Sequence, residues 1–377
     1  MIGLRIMHLA TSPAAAVGGD VLTTMNWLTT NGHTVALAAG GDGEIPGVEM
    51  IRFRSGAASW WLGGKRSLID QVQAWKPDLV HLHGAEAMAA ARALGIGLAL
   101  PVVVSVDHVL PAARARMLRD VLLSWVLVPT EAHRAHYVGR AKLARDCVSV
   151  LPFAIDVEHL AAVGADTVGD ALTIGVEAHT EDPALLPLVA AVAKLRSGGA
   201  EVKLAIGVGL GAKRETLINT LAEHQTDGWC EVLNARGHDA LISRCDVLVQ
   251  PSGDERGVAP VIVAMAAGRA VVAAANTGMS ELLKDGVTGL LVGMGDQSAL
   301  DAALTRLVRD AALRRRLGDA AQIHARARYA ISVVGPALVE LYQLAVSAQQ
   351  NPGSKGDGSH AYKRRVTTRI DQPAAEG

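Results

Sequence analysis

Residues 4–39 read LRIMHLATSPAAAVGGDVLTTMNWLTTNGHTVALAA, and their punctuation decides the fold class. Leu4 to Ala10 is a short apolar run that does not alternate, as expected of a strand covered on both faces. The loop 11–19 follows and closes on Gly18-Gly19. Asp20 can cap a helix running to about Asn31, in which Val21, Met25 and Leu28 repeat at helical spacing, and Gly32 is placed to end it. His33 to Ala39 is the next apolar run. Strand, glycine loop, helix, glycine and strand make one βαβ unit, because parallel neighbours need a crossover helix between them.

The same grammar recurs along the chain. A helix ends near Trp75, and strands are expected at 78–81, 101–106, 126–128 and 148–151, with a helix at about 130–144. After the Gly/Ala/Asp stretch near 162–170 a second series begins, with strands at 172–176, 202–206, 231–233, 247–250, 270–274 and 289–292. Helices alternate with them, the last from Gln297 to about Arg328. Ser332 to Ser347 reads as one more helix with Val333, Leu338, Leu341 and Leu344 on its apolar side. The segment after 350 is rich in Gly, Ser and charge, without periodicity, and reads as a disordered tail. The expected domains are therefore 1–162 and 163–331, both Rossmann-like, then a helix at 332–348 and a tail at 349–377. The fold class is α/β.

Composition agrees with this layout and excludes several functions. A chain of 377 residues suits two domains at roughly 150 residues each. Hydrophobic residues are 50% but aromatic residues only 3%, so the core is aliphatic, as close helix–sheet packing prefers. The formal charge of −1 argues against a general nucleic-acid binder. Cys147, Cys230 and Cys245 form no CxxC pair, which argues against a disulfide framework or zinc ribbon and for a reducing, cytoplasmic compartment. The most membrane-like stretch, Val258 to Ala275, is broken by Pro260, Gly268 and Arg269 and reads as a buried helix followed by a buried strand. In the tail, Lys363-Arg364-Arg365 is a candidate for peripheral contact with the anionic inner face of a membrane.

Two Rossmann-like domains admit a dinucleotide dehydrogenase or a nucleotide-sugar enzyme, and fold alone does not choose. Gly207-Val208-Gly209-Leu210-Gly211-Ala212 fits a loose dinucleotide fingerprint, with Gly207 and Gly209 letting backbone approach a phosphate at a helix start. An acid at the end of the following strand is lacking, however, since Glu231 falls at its beginning. Gly18 and Gly19 offer the same physics at the first crossover. His81 and His83 lie two apart on one strand and hence on one face, with His83 nearer the carboxyl end, where ligands bind. With no carboxylate or Cys at ligand spacing beside them, no metal site is expected.

Taken together, the segments resemble the GT-B glycosyltransferases, and among them glycosyltransferase family 4 (glycosyl transferases group 1). The matching stretches are Gly18-Gly19, NGHTV at 31–35, KPDLVHLHG at 76–84, PVVVSV at 101–106, DVLVQPS at 246–252, AMAAGRAVVAA at 264–274 and SELLKDGVTGLLV at 280–292. The resemblance covers about residues 4–347. It implies two Rossmann-like domains facing a cleft, with the last helix crossing back to the first domain. It also implies a nucleotide-diphosphate sugar as co-substrate, no cofactor, a glycan or glycolipid acceptor, and retaining transfer without a metal.

The resemblance implies site residues as well. Its first motif glutamate falls on Glu255, followed by Arg256 and Gly257, and Glu281 lies in the most specific stretch. A histidine soon after the strand 101–106 corresponds by register to Asp107, with His108 next to it. Glu255, His108 and Asp107 are thus the catalytic candidates. Gly18, Gly19, His83, Gly207, Gly209, Arg256, Gly257 and Glu281 are the substrate-binding ones.

Two departures are plain. The Arg and Lys that the family places after the first strand of its second domain are replaced by Val176-Glu177-Ala178-His179-Thr180-Glu181-Asp182. The second motif glutamate falls on Val263, which accepts no ribose hydrogen bond. Exchanging a cation for an anion beside a diphosphate costs several kcal/mol, given about 4 kcal/mol for a charge pair at 4 Å in a dielectric of 20. Arg256 either returns a cation or pairs with Asp254 or Glu255. The expected function is a retaining glycosyltransferase of surface polysaccharide or glycolipid synthesis. The alternative is a non-catalytic GT-B subunit that binds or stabilises a partner glycosyltransferase.

Overall fold

The first βαβ unit forms as its punctuation dictates. Strand β1 (Arg5–Ala10), helix α1 (Asp20–Thr30) and strand β2 (Thr34–Gly40) follow one another, and Gly32 leaves the helix at φ 85°. That left-handed turn, natural for glycine, lets β2 run parallel to β1 with Thr34 opposite Arg5. A computed structural model of the chain describes residues 3–10, 20–40, 44–53, 65–84, 94, 98–106, 110, 115, 118, 125–165, 171–178, 183–208, 214–233, 238–253 and 257–350. These fall into two compact units. Unit 1 comprises residues up to Ile155 and from Ile331 onward; unit 2 is Asp156–Ala330.

In unit 1 the further elements are β3 (Glu49–Phe53), α2 (Lys65–Trp75), β4 (Leu79–His83), β5 (Val102–Ser105), β6 (Trp125–Val128), α3 (Glu131–Gly139) and β7 (Val148–Val150). The parallel sheet has the order β3-β2-β1-β4-β5-β6-β7. One face packs Met7, Leu9, Val80, Leu82, Val102 and Val104 into a large aliphatic cluster. The other face carries Ile6, Leu79, Val103, Trp125 and Leu127. That face is covered by α12 (Ile331–Gln350), the crossover helix, through Val334, Leu338, Leu341 and Tyr342. A Cβ on Gly335 would lie 2.7 Å from the Trp27 ring, so glycine sets how closely α12 approaches α1.

Unit 2 contains α4 (Val157–Ala165), β8 (Leu172–Ala178), α5 (Leu185–Ser197), β9 (Val202–Val208), α6 (Arg214–Ala222), β10 (Cys230–Val232), α7 (His238–Ile242), β11 (Val247–Gln250) and α8 (Val258–Ala266). It continues with β12 (Ala270–Ala274), α9 (Thr277–Leu282), β13 (Leu290–Val292), α10 (Gln297–Arg309) and α11 (Ala311–Tyr329). Its parallel sheet has the order β10-β9-β8-β11-β12-β13. The stretch read as a buried helix and strand, Val258 to Ala275, is α8 and β12, both buried. By length and composition α12 is the described helix apolar enough to cross a membrane. Its apolar side is instead part of the unit 1 core.

Three local expectations are corrected. The edge strand β3 went unread because EMIRF alternates in burial, whereas the other strands are continuous apolar runs. The single helix expected from Gln297 to Arg328 is two. Asp310 ends α10 and then caps α11, its carboxylate accepting the Leu313 N–H at 2.8 Å. A short acid that bonds local backbone competes with helix continuation. Helix α3 stops at Gly139, and a 3₁₀ turn, Arg145–Cys147, leads into β7.

Candidate functional site

In open parallel sheets ligands bind beyond the carboxyl ends of the strands where the strand order reverses. In unit 1 that point lies between β1 and β4, and in unit 2 between β8 and β11.

At the unit 2 point, β11 ends on Gln250, which is buried. Gly257 precedes α8 and offers no side-chain cap to the helix amides. A Cβ on Gly257 would stand 2.2 Å from Cδ of Gln250, so any larger residue here must push the buried Gln250 side chain aside for the start of α8 to lie against the end of β11. A helix that starts beside a strand end favours a negative group there. Beside them, the amide of Asn276 donates to the Gly253 carbonyl at 3.2 Å while its oxygen accepts from Met279 N–H at 2.7 Å, which orients the turn into α9.

The end of β8 carries the acid that departs from the family pattern. The carboxylate of Glu177 meets Nδ1 of His238, at the start of α7, at 2.8 Å, and both side chains are mostly buried. Burial pushes the His238 pKa down, but the Glu177 hydrogen bond and the charges of Glu177 and Asp239 outweigh it and the net shift is upward. Glu177 is therefore engaged by His238, whose protonated form it favours. Among the described residues Arg269 is the buried Lys or Arg, yet it stands at the amino end of β12, away from the strand ends where a diphosphate would lie. Val263 is buried in α8.

Gly207 falls inside β9 rather than in a loop, opposite Glu177. A Cβ there would meet the Leu241 side chain at 3.2 Å, so this glycine serves the packing of α7 on the sheet. Glu281 is exposed on the last turn of α9. Burial pushes the Tyr329 hydroxyl up to about 12; Arg328 opposes that rise and Glu281 adds to it, which places the Glu281 charge near the end of α11. Gly18, Gly19, Asp107, His108, Gly209, Glu255 and Arg256 lie outside the described residues.

At the unit 1 point His83 does not stand alone. His8 on β1 is the register partner of His81 on β4, so His8, His81 and His83 share one face of two adjacent strands. Nδ1 of His8 and Nε2 of His83 are 2.8 Å apart. Nδ1 of His81 meets the Tyr342 hydroxyl at 2.6 Å, and its Nε2 meets Ser105 Oγ at 2.7 Å. His8 and His81 are buried and His83 is half-buried. Burial first, and then the neighbouring rings, hold the pKa values of His8 and His81 well below the ordinary range, so both imidazoles are neutral. Sequence reading paired His81 with His83 and missed His8. The available signal was a lone imidazole in an otherwise apolar first strand, but the register that joins it to β4 is a property of the sheet.

Comparison with known proteins matches both halves of the chain to one enzyme class. The Glycosyltransferase Family 4 model matches residues 21–159, and the Glycosyl transferases group 1 model matches residues 178–324. The chain belongs to the GT-B glycosyltransferases of the family 4 type. A D-inositol 3-phosphate glycosyltransferase of Stackebrandtia nassauensis is 28% identical over 382 residues, covering 94% of this chain and 81% of that protein. A phosphatidyl-myo-inositol mannosyltransferase of Mycobacterium leprae is 38% identical over 109 residues, 28% of this chain and 29% of its own. Among solved structures, Anabaena HepE in complex with UDP and glucose has a TM-score of 0.73 at 17% identity, covering 90% of this chain and 99% of that one. Sucrose-phosphate synthase from Thermosynechococcus elongatus has a TM-score of 0.75 at 17% identity, covering 92% and 100%. These two likenesses show the fold. Membership of the family implies a nucleotide-sugar donor and a glycan acceptor for this glycosyltransferase.

Proposed function

We propose that this glycosyltransferase moves a hexosyl unit from a nucleotide-diphosphate sugar to a glycan or glycolipid acceptor, with retention at the anomeric carbon and without a metal on the diphosphate. The observation that carries the reading is the close approach of Gly257, before α8, to Gln250 at the carboxyl end of β11, beside the point where the strand order reverses. Charge develops on the leaving diphosphate as the glycosidic bond breaks, and preorganised backbone N–H groups stabilise such charge without reorganising. Glu255, two residues before Gly257, would lie toward the transferred sugar and Arg256 would add a cation. Asp107 or His108 would serve the acceptor side. The names of the relatives support an inositol phosphate as the first acceptor to try, and the HepE complex supports UDP-glucose as the first donor. The reading places the protein in the cytoplasm, peripheral to the inner membrane face, in surface polysaccharide or glycolipid synthesis.

Calorimetry with a panel of nucleotide-diphosphate sugars tests the donor half. Micromolar binding of one donor, lost in Glu255→Ala, is the expected result; no binding across the panel overturns it.

A second reading is a non-catalytic GT-B subunit that stabilises a partner glycosyltransferase. Val263 at the second glutamate position and the Glu177 carboxylate at the end of β8 favour it. Donor binding without turnover on any acceptor, restored by adding a partner transferase, would select this reading.

A further inference from the structure

We propose that His8, His81 and His83 form a binding site for one transition-metal ion of the zinc type, in unit 1 on the shared face of β1 and β4, with His83 at the carboxyl end of β4. The three side chains each offer a ligand nitrogen, and these nitrogens all lie within 4.8 Å of one another, the shortest measured spacing being 2.8 Å. A tetrahedral zinc ion with bonds of about 2.0–2.1 Å sets its ligand nitrogens roughly 3.3 Å apart, between those two values. The trio therefore needs its side chains to adjust before an ion fits.

Hydrogen bonding within the trio leaves one buried imidazole nitrogen unpartnered. Nε2 of His8 is buried and has no hydrogen-bond partner among the described residues. Hydrogen bonds alone leave that nitrogen unsatisfied in an apolar sheet, which asks for an explanation. Tyr342 engages Nδ1 of His81, which leaves Nε2 as the coordinating atom and fixes the orientation of the ring. Ser105 Oγ, hydrogen-bonded to that Nε2 at 2.7 Å, would have to give up this bond to the ion and would then stand beside it. His83 is the half-buried member, and the fourth position would fall to water or an anion. Neutral imidazoles suit zinc, cobalt, nickel or copper, whereas magnesium and calcium prefer oxygen sets.

This ion would stand in unit 1, whereas the proposed diphosphate chemistry belongs to unit 2, so the two readings succeed or fail separately. The experiment uses the full-length chain without an affinity tag, stripped with a chelator and titrated with zinc chloride by calorimetry. One ion per chain is expected, with magnesium chloride giving no matching isotherm. Cobalt substitution should produce the visible absorption bands of a four-coordinate nitrogen site. His83→Gln, at a half-buried position, should weaken zinc binding at least about 10-fold. Tyr342→Phe should weaken it by roughly 10-fold, the usual effect of losing a group that orients a ligand. His159→Gln, which removes an exposed imidazole paired with Asp239, should leave the isotherm unchanged. X-ray absorption on the zinc-loaded wild type counts the imidazoles directly and does not depend on any variant folding. Three imidazoles support the site. Fewer than three, an isotherm unchanged in His83→Gln, or no zinc binding overturns it.

Discussion

The hydroxyl of Tyr342 meets Nδ1 of His81 at 2.6 Å across 261 positions of sequence. The bond ties the crossover helix to the centre of the unit 1 sheet in a place where neither group reaches water. Removing the hydroxyl strands a buried ring nitrogen. Tyr342→Phe should therefore cost about 1–3 kcal/mol in urea denaturation, although the aromatic ring and its packing are retained. A loss below about 0.5 kcal/mol, the range of an ordinary surface substitution, would contradict that role.

Gly257→Ala drives a methyl group into Gln250, with the nearest carbon at 2.2 Å. Overpacking of this kind costs about 1–3 kcal/mol. Here it also moves the start of α8, so donor affinity should fall with stability. Adding Gln250→Ala makes room for the methyl, and the double variant should regain donor affinity relative to Gly257→Ala alone. Simple additivity of the two changes, measured by calorimetry, would count against the close approach as the cause.

The Glu177–His238 pair makes a prediction in pH. The folded pKa of His238 is raised above its ordinary 6.5, so the pair's contribution is fully present below that value and is lost as pH rises through the raised one. Glu177→Gln should therefore destabilise the protein most near about pH 6 and progressively less in alkaline buffer. Thermal melting of both proteins across that window reads the difference. A gap that widens with pH would show that the imidazole is not the charged partner.

Asp310→Ala separates one bent helical segment from one continuous helix. Because Asp310 caps α11 through the Leu313 N–H, its loss should cost about 0.5–2 kcal/mol. Were α10 and α11 a single helix, alanine would raise the melting temperature instead.

The strands were legible wherever both faces of the sheet are covered, since burial on both sides writes a continuous apolar run. Val247–Gln250 and Ala270–Ala274 coincide with their sequence reading for that reason. Strand β3 has one buried side and follows a different rule. The break at Asp310 depends on a side chain choosing backbone partners, which helical periodicity does not encode. Within the candidate sites, His81 and His83 were paired by strand period alone. The recruitment of His8 needed the register of β1 on β4, and that of Tyr342 needed the return of α12 to the same face. Gly207 shows the converse. A glycine-rich string at a strand end suggested phosphate, but at this position the missing side chain makes room for Leu241.

Unit 1 is discontinuous in sequence, and this orders its biosynthesis. The strands bearing Ile6, Leu79, Val103, Trp125 and Leu127 leave the ribosome long before α12, because all of unit 2 is translated between them. During that interval the part of this face that α12 covers lacks that helix, although Leu28 of α1 already packs on the cluster and unit 2 can already fold as a contiguous segment. The nascent chain thus offers chaperones a defined apolar surface, which disappears when Tyr342 and its neighbours arrive.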